Sequence, residues 1–542
     1  MVLTWLGLRP KSSPIYGPIE NVERLQAELG AAVPPPKVAG RTAGGVLVPE
    51  GVRAASERRA QLIRYELFAN SGRFQSRTRV KAMDALYRAE PRAFKWLVVP
   101  VASDDRMRLT ARASDAEATT FLDQLVRDLP GTGRVLLLPV HEEEVATLQK
   151  SFGAVAVIDD GEMFQTASPR SVLFGAEGVP RLVDGLQDLS VKLHLSDATY
   201  ARMGGLDGSR QLNLNDCLIA PVFTHLLETL GEGLPRFEVL SEGATVAARL
   251  GDGNKAVELG AIFRRLPDTL AVPGFALFSP TTERLPADRA AASQVDVRAK
   301  EETRVLAADA IERLRKKNPG LSKVDGFLRL FSEPLLDIAF HFYAQGVTLE
   351  LHPQNFLMCF DPRTREVEKV YVRDVHGTNY SAAWRTEHGL EDIASVEALQ
   401  AEFPGITQAD LDGWFMRPDP QTGVPKLRDR YKAPGIFGRN FDIYFSIFQY
   451  QSLVALEEAG YLTRHEVDLA MIGIRDAVEA AAHKHGFDLA NLDVGGYTSF
   501  TGTMERAFDS GLRGRVLFRR PLDPEQRRKF IEEHEAPVRA AS

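Results

Sequence analysis

One stretch limits the folding options of this 542-residue chain more than any other: residues 346–377, GVTLELHPQNFLMCFDPRTREVEKVYVRDVHG. Side chains alternate faces along a strand, so VTLELH predicts a strand over 347–352. Val347, Leu349 and Leu351 then face one way, and Thr348, Glu350 and His352 the other. Pro353 cannot donate to a ladder and ends regular pairing, which leaves Gln354 and Asn355 at a bend. NFLMCF resumes as a strand, DPRTRE turns, and VEKVYVRD returns, which together read as a hairpin. On a regular return strand Arg373 and Asp374 point to opposite faces and cannot enter one pocket. A solvated polar face explains an isolated T-x-E-x-H pattern. It does not explain the adjacent amides or the aspartate closing a valine-rich strand. Carboxylate and amide oxygens suit Mg2+, which commonly arrives with nucleotide phosphates. No P-loop and no G-x-G-x-x-G occurs to cradle phosphates in the usual way.

The rest of the chain reads as mixed α and β. Hydrophobic residues make up 44% and charged residues 26%, ordinary for a soluble globular protein. The net charge of −7 argues against a global attraction to nucleic acid or anionic membrane. No apolar run is long enough to span a bilayer. The two cysteines, Cys217 and Cys359, lack metal-ligand spacing and read as buried thiols in a reducing cytoplasm. Residues 31–53, rich in Pro, Gly and Ala, read as a linker or irregular arm. KWLVVPVA (95–102) and GRVLLLPVH (133–141) predict buried strands. The spacing of Phe121, Leu122, Leu125 and Leu129 predicts a helix over 115–129, and EEEVATLQKSFG another, closed by Gly153. Residues 210–345 read as mostly helical, ending in a helix over 332–346 with Ser332 as N-cap and Gly346 as terminator. Helices are also expected over 441–460 and 464–486.

The central stretch resembles the E-x-H-G-Q-N … R-D-x-x-G signature of the NRPS-independent siderophore (NIS) synthetases, the aerobactin-synthetase-like family. Further segments follow in family order. LLLPVH (136–141) is similar to a P-V-H-P-W segment, with Glu142 where proline is usual. QTASPRSVLF (165–174) is similar to an S-x-R-T nucleotide loop, with Ser171 for threonine. VKLHLSDATYAR (191–202) resembles K-L-S-L … T-x-x-x-R. GAIFRRLPD (260–268) and TGTMERAF (501–508) fall near an arginine-containing segment and a C-terminal element. Pro353 replaces a glycine, and the interval from Lys192 to Arg202 is short, which makes Arg210 a rival to Arg202. No motif marks the C-terminal lysine; Lys426 and Lys432 are candidates.

The resemblance implies an α+β, cupped-hand architecture: a thumb-like region over 1–130, fingers of mixed sheet over 131–345, and a mostly helical palm over 346–542. It implies an ATP- and Mg2+-dependent ligase that adenylates a citrate-like or dicarboxylic acid and condenses it with an amine or hydroxyl, a cytoplasmic homodimer with small-molecule partners. His352, Arg170 and Lys192 would be catalytic. Ser168, Arg170, Ser171, Lys192, Gln354 and Asp374 would hold the nucleotide. His141, Arg202 and His352 would hold the acid, and Glu350, Asn355 and Asp374 the metal. Such residue types suit the task, because joining two anions needs fixed cations and donors around the phosphoryl group. An ATP-dependent phosphotransferase, or a catalytically silent nucleotide-binding relative, are the alternatives.

Overall fold

The computed structural model describes residues 92–100, 107–129, 133–152, 157–166, 168, 170–174, 182–203, 211–251, 256–278, 280–281, 304–418, 425–427 and 447–486, with Leu62, Tyr65 and Glu66. The expected arm at 31–53, Arg210, Lys432 and the element at 501–508 lie outside the described residues.

Among those residues, ten strands lie between Arg92 and Arg265: β1 (Arg92–Pro100), β2 (Met107–Ala111), β3 (Val126–Leu129), β4 (Gly133–Val140), β5 (Val157–Gln165), β6 (Ser171–Phe174), β7 (Leu189–Leu193), β8 (Phe237–Val239), β9 (Ala244–Leu250) and β10 (Val257–Arg265). All but β8 form one nine-stranded sheet, ordered β2-β9-β10-β7-β6-β5-β1-β4-β3. Every neighbouring pair in it is antiparallel. A second, four-stranded sheet joins β11 (Val272–Pro273), β12 (Phe356–Phe360), β13 (Val367–Val372) and β8 in that order. Its β13–β8 pairing is parallel and the others antiparallel, so it is mixed. The architecture is α+β.

The two faces of the large sheet differ because strand side chains alternate. Val172, Val191 and Phe263 stand opposite one another across β6, β7 and β10. They enter a core with Phe94, Trp96 and Phe174. Phe94 meets Trp96 and Phe174 edge-on, at ring-centre distances of 5.0 and 5.1 Å. The intervening positions carry the polar side chains: Ser171 stands opposite Lys192, and Ser190 opposite Arg264, with Ile262 beside Lys192 as the apolar exception among these five. One face therefore holds the sheet together and the other carries chemistry.

Helices α1 (Ala116–Asp123), α2 (Glu142–Phe152), α3 (Asp197–Arg202), α4 (Leu214–Leu230), α5 (Leu306–Lys317), α6 (Glu333–Ala344), α7 (Ile447–Glu458) and α8 (Arg464–Lys484) complete the framework used below. Helix α2 begins with three glutamates, which favour a helix N-terminus. Helix α8 opens with a capping box between Thr463 and Glu466.

Four sequence expectations are corrected. The helix expected over 115–129 stops at Asp123, and Val126–Leu129 pairs with Gly133–Leu136 as a hairpin, so cross-strand pairing wins over local helical spacing. Over 210–345 helices take about half of the described residues, and β8 to β11 also lie there, because ATVAARL and VELGAIFRR supply edge-to-edge partners for β2 and β7. The strand expected over 347–352 is two residues long, Val347–Thr348 pairing with Asn379–Tyr380, and 349–355 is irregular. Ser332 is no N-cap. A π-turn over Leu328–Ser332 runs directly into α6, and the Ser332 hydroxyl lies 2.8 Å from Gln449 Oε1.

Gly346 does end the helical segment. Its φ is +72°, and a Cβ there would sit 2.8 Å from Trp384 Cδ1. Changing Gly346→Ala should destabilise the fold by at least about 1–2 kcal/mol, since the left-handed conformation alone costs that much for an L side chain. Urea denaturation measures it.

Candidate active site

The site forms where the polar face of the large sheet meets the hairpin of the small one. From the sheet come Ser168 and Ser171 at the turn into β6, Ser190 on β7, and Arg264 and Arg265 at the end of β10. From the hairpin come Gln354 and Asn355 before β12, and Arg373 and Asp374 after β13. All line one pocket that opens to solvent. Leu62, Glu66, Leu240 and Phe275 help to wall it.

The turn at Ser168 is built from inside. Ser171 N–H donates to the Ser168 carbonyl at 3.2 Å. Gln165 Nε2 donates to the Ser168 and Ser171 carbonyls at 2.9 Å each. Gln165 Oε1 lies 2.8 Å from His141 Nε2. His141 Nδ1 accepts from the Glu143 amide at 3.2 Å, which leaves Nε2 as the protonated nitrogen and donor. Burial lowers the His141 pKa, so the ring is a neutral strut. His141 thus braces the serine turn through Gln165, and it is not among the residues lining the pocket.

Asp374 holds the other wall. Its backbone is left-handed, at φ 66° and ψ 42°, unusual for a non-glycine residue although aspartate tolerates it. That kink breaks the strand alternation expected at this point, and both Arg373 and Asp374 turn into the pocket. Arg373 pairs with Glu66 and donates from Nε to the Gln354 carbonyl at 2.6 Å, fixing the amide bend. Asp374 Oδ1 accepts from Lys192 Nζ and, at 3.2 Å, from Arg264 Nη2. Arg264 also pairs with Glu242, its Nε donating to Oε1 at 2.8 Å. The same Glu242 oxygen accepts the Asp374 amide at 3.1 Å. Glu242 is wholly buried, and its Oε2 has no hydrogen-bond partner.

Burial governs protonation here. It pushes the Lys192 ammonium down to about 8; Asp374 opposes this and the Arg170 charge adds to it. It pushes His352 down to about 4, against the pull of Asp374, so this histidine is neutral near pH 7. Its Nδ1 accepts from the Gln354 amide at 3.1 Å. An anion bound beside Lys192 favours the ammonium and raises its pKa above the free value. Anion affinity should therefore be greatest below about pH 8 and fall as pH rises through it, towards about tenfold per pH unit for one linked proton. Nucleotide titrations across that range check the sign.

The remaining expected residues fall into two groups. Glu350 and Asn355 are neighbours, with Nδ2 donating to Oε2 at 3.4 Å. Gly377 packs so closely on Glu350 that a Cβ would lie 2.4 Å from its carboxyl carbon. Glu350, Asn355 and Asp374 offer the hard oxygen donors that Mg2+ prefers, and in that sense they fit the ion. No group of three or more His, Cys, Asp or Glu side chains placed to hold a metal occurs among the described residues. Arg170 Nη1 donates to the Gln211 carbonyl at 3.3 Å. Arg202 does not line the pocket: it lies on α3 against α2, donating to Thr147 Oγ1 at 3.0 Å and to the Glu143 carbonyl.

No family model and no curated protein matches this sequence. Solved structures do match. The chain is structurally similar to NIS siderophore synthetases at low sequence identity. Petrobactin biosynthesis protein AsbB from Bacillus anthracis shares 14% identity and a TM-score of 0.47, over 73% of this chain and 61% of that one. Aerobactin synthetase IucA from Klebsiella pneumoniae shares 15% identity at a TM-score of 0.44, over 74% and 63%. The ATP-bound form of IucA shares 15% at 0.43, over 73% and 64%. This chain thus spans less than two thirds of the length of each of these structures. No helix among the described residues is long and apolar enough to cross a membrane.

Sequence reasoning missed Glu242 and Glu66. Glu242 sits in LSEGAT, a stretch with no motif. Its role shows only when β10 brings Arg264 beside it.

Proposed function

We propose that this chain is an ATP- and Mg2+-dependent ligase of the NIS synthetase type. It adenylates a citrate-like or dicarboxylic acid and condenses it with an amine or hydroxyl in siderophore or related natural-product assembly. One observation carries the reading: Ser168 and Ser171 share a single pocket with Gln354, Asn355 and Asp374, and Lys192 reaches Asp374 from behind it. Residues about two hundred positions apart, marked by an ordered set of sequence motifs, converge there.

In this reading ATP would supply the adenylyl group, with pyrophosphate leaving, and Asp374, Glu350 and Asn355 would hold the Mg2+ that would offset phosphate charge. The chain's own residues do the positioning. The Ser168 and Ser171 hydroxyls donate to phosphate oxygens. Lys192, Arg170 and Arg264 offset the charge of two anions brought together, and preorganised charge of this kind is commonly the largest catalytic contribution. His352, neutral, offers a hydrogen bond to the acid without adding a charge. The His141 strut keeps the serine turn rigid, and the cupped-hand form and a homodimer belong to the same proposal.

The test is product analysis with a panel of carboxylic acids, with and without amines. Ligase turnover yields AMP and pyrophosphate that depend on the acid. ADP would place the chain among phosphotransferases. Nucleotide binding with no acid-dependent product would make it a silent relative.

A further inference from the structure

We propose that Asp374 is an electrostatic latch: without ligand it neutralises Lys192 and Arg264, and a divalent ion opens the phosphate site by drawing Asp374 away from them. The proposal rests on the nucleotide reading above and concerns the order in which that site is made ready.

The geometry points this way in three respects. First, Asp374 lines the pocket and Lys192 does not. The lysine side chain is 4% exposed and the aspartate 30%, so the cation lies behind the carboxylate. An entering phosphate meets Asp374 before it can reach Lys192. Second, a single oxygen, Asp374 Oδ1, accepts from both Lys192 and Arg264. Removing that one oxygen takes away the carboxylate shared by both cations, leaving Arg264 held by Glu242. Third, Glu242, Arg264, Asp374 and Lys192 form a chain of two acids and two bases with no net charge. Nothing in that chain attracts an anion until one acid is taken out of it.

The backbone favours the same division of labour. Glu242 holds the Asp374 amide and the Arg264 guanidinium together. The left-handed residue is thereby anchored, and its carboxylate is the part able to turn. Lys192 is fixed on the central strand β7, opposite Ser171 and Ile262. A divalent ion is the partner suited to carry off a carboxylate, and a nucleotide brings one. Metal and nucleotide should therefore bind as a coupled pair, each strengthening the other by the same factor.

The experiment measures equilibrium binding of ATP with Mg2+ and with EDTA. The wild-type protein should bind ATP at least about tenfold more tightly with Mg2+, within the usual range for coupled sites. Asp374→Asn keeps the size of the side chain and suits the left-handed backbone. It should bind ATP in EDTA about tenfold more tightly than wild type does in EDTA, because the charged carboxylate in front of Lys192 and Arg264 is gone, and it should lose most of the Mg2+ effect. If the variant gains nothing in EDTA while wild type binds ATP, the latch is wrong and the nucleotide reading stands. If wild type binds ATP under neither condition, both fail. A second variant covers a folding defect in the first. Lys192→Met removes one competitor for Asp374, so Mn2+ should bind the nucleotide-free variant more tightly than wild type by paramagnetic titration; equal or weaker binding overturns the latch.

Discussion

Lys192→Ala should lower acid-dependent pyrophosphate release by about 10²–10³-fold, the usual cost of losing one preorganised charge partner at a reacting group. Three features set this expectation. Lys192 lies opposite Ser171 and Ile262 on the site-facing side of the sheet, it is nearly fully buried, and it reaches Asp374, a carboxylate that Arg264 also touches. Removing it leaves Asp374 paired to Arg264, so the fold should persist and thermal melting should stay close to wild type. The loss should appear mainly in kcat, because the charge is needed most when the carboxylate meets the phosphoryl group. Arginine should not rescue it. Its planar fork is larger than an ammonium and needs room that a 4% exposed position does not offer. A Lys192→Ala enzyme with near-normal turnover would remove this lysine from the phosphate site.

Arg264→Ala should destabilise the protein by about 3–5 kcal/mol, the usual result of leaving one partner of a buried ion pair alone. Arg264 bonds Glu242 through Nε and Nη2 and bonds Asp374 as well. Without it Glu242 stays at 0% exposure, already carrying one unpartnered oxygen and now facing Asp374 with no cation between them. The energetic harm comes from the stranded carboxylate. Adding Glu242→Gln should therefore recover part of the lost stability in guanidinium unfolding. If the double variant is no more stable than the single one, the arginine contributes through its packing and not through its charge.

The sequence revealed this site unevenly, and the reason is physical. Residues within one segment are visible as a pattern: Glu350, Gln354 and Asn355 stand around a proline bend, and Ser168, Arg170 and Ser171 form a turn. The hairpin over 356–372 was legible because alternation and turn chemistry act locally. The partnership of Lys192 with Asp374 was not derivable from spacing, since antiparallel register decides which β7 residues face the hairpin. Arg373 and Asp374 were expected on opposite faces, and a single left-handed residue reverses that expectation. The helix expected over 115–129 failed for a similar reason, with pairing to β4 overriding the local period. His141 was expected to hold substrate, and the structure places it as a brace two bonds from the serine turn.

Lys192 and its counter-charge are separated by 182 positions. A ribosome adding about 5–20 residues per second would expose a polypeptide lacking Asp374 for on the order of 10–40 s after the lysine is made. During that interval the Lys192 ammonium lacks its Asp374 partner in a dry interior. The centre of the sheet should therefore close late in synthesis, and a fragment ending before residue 374 should hold this lysine in water.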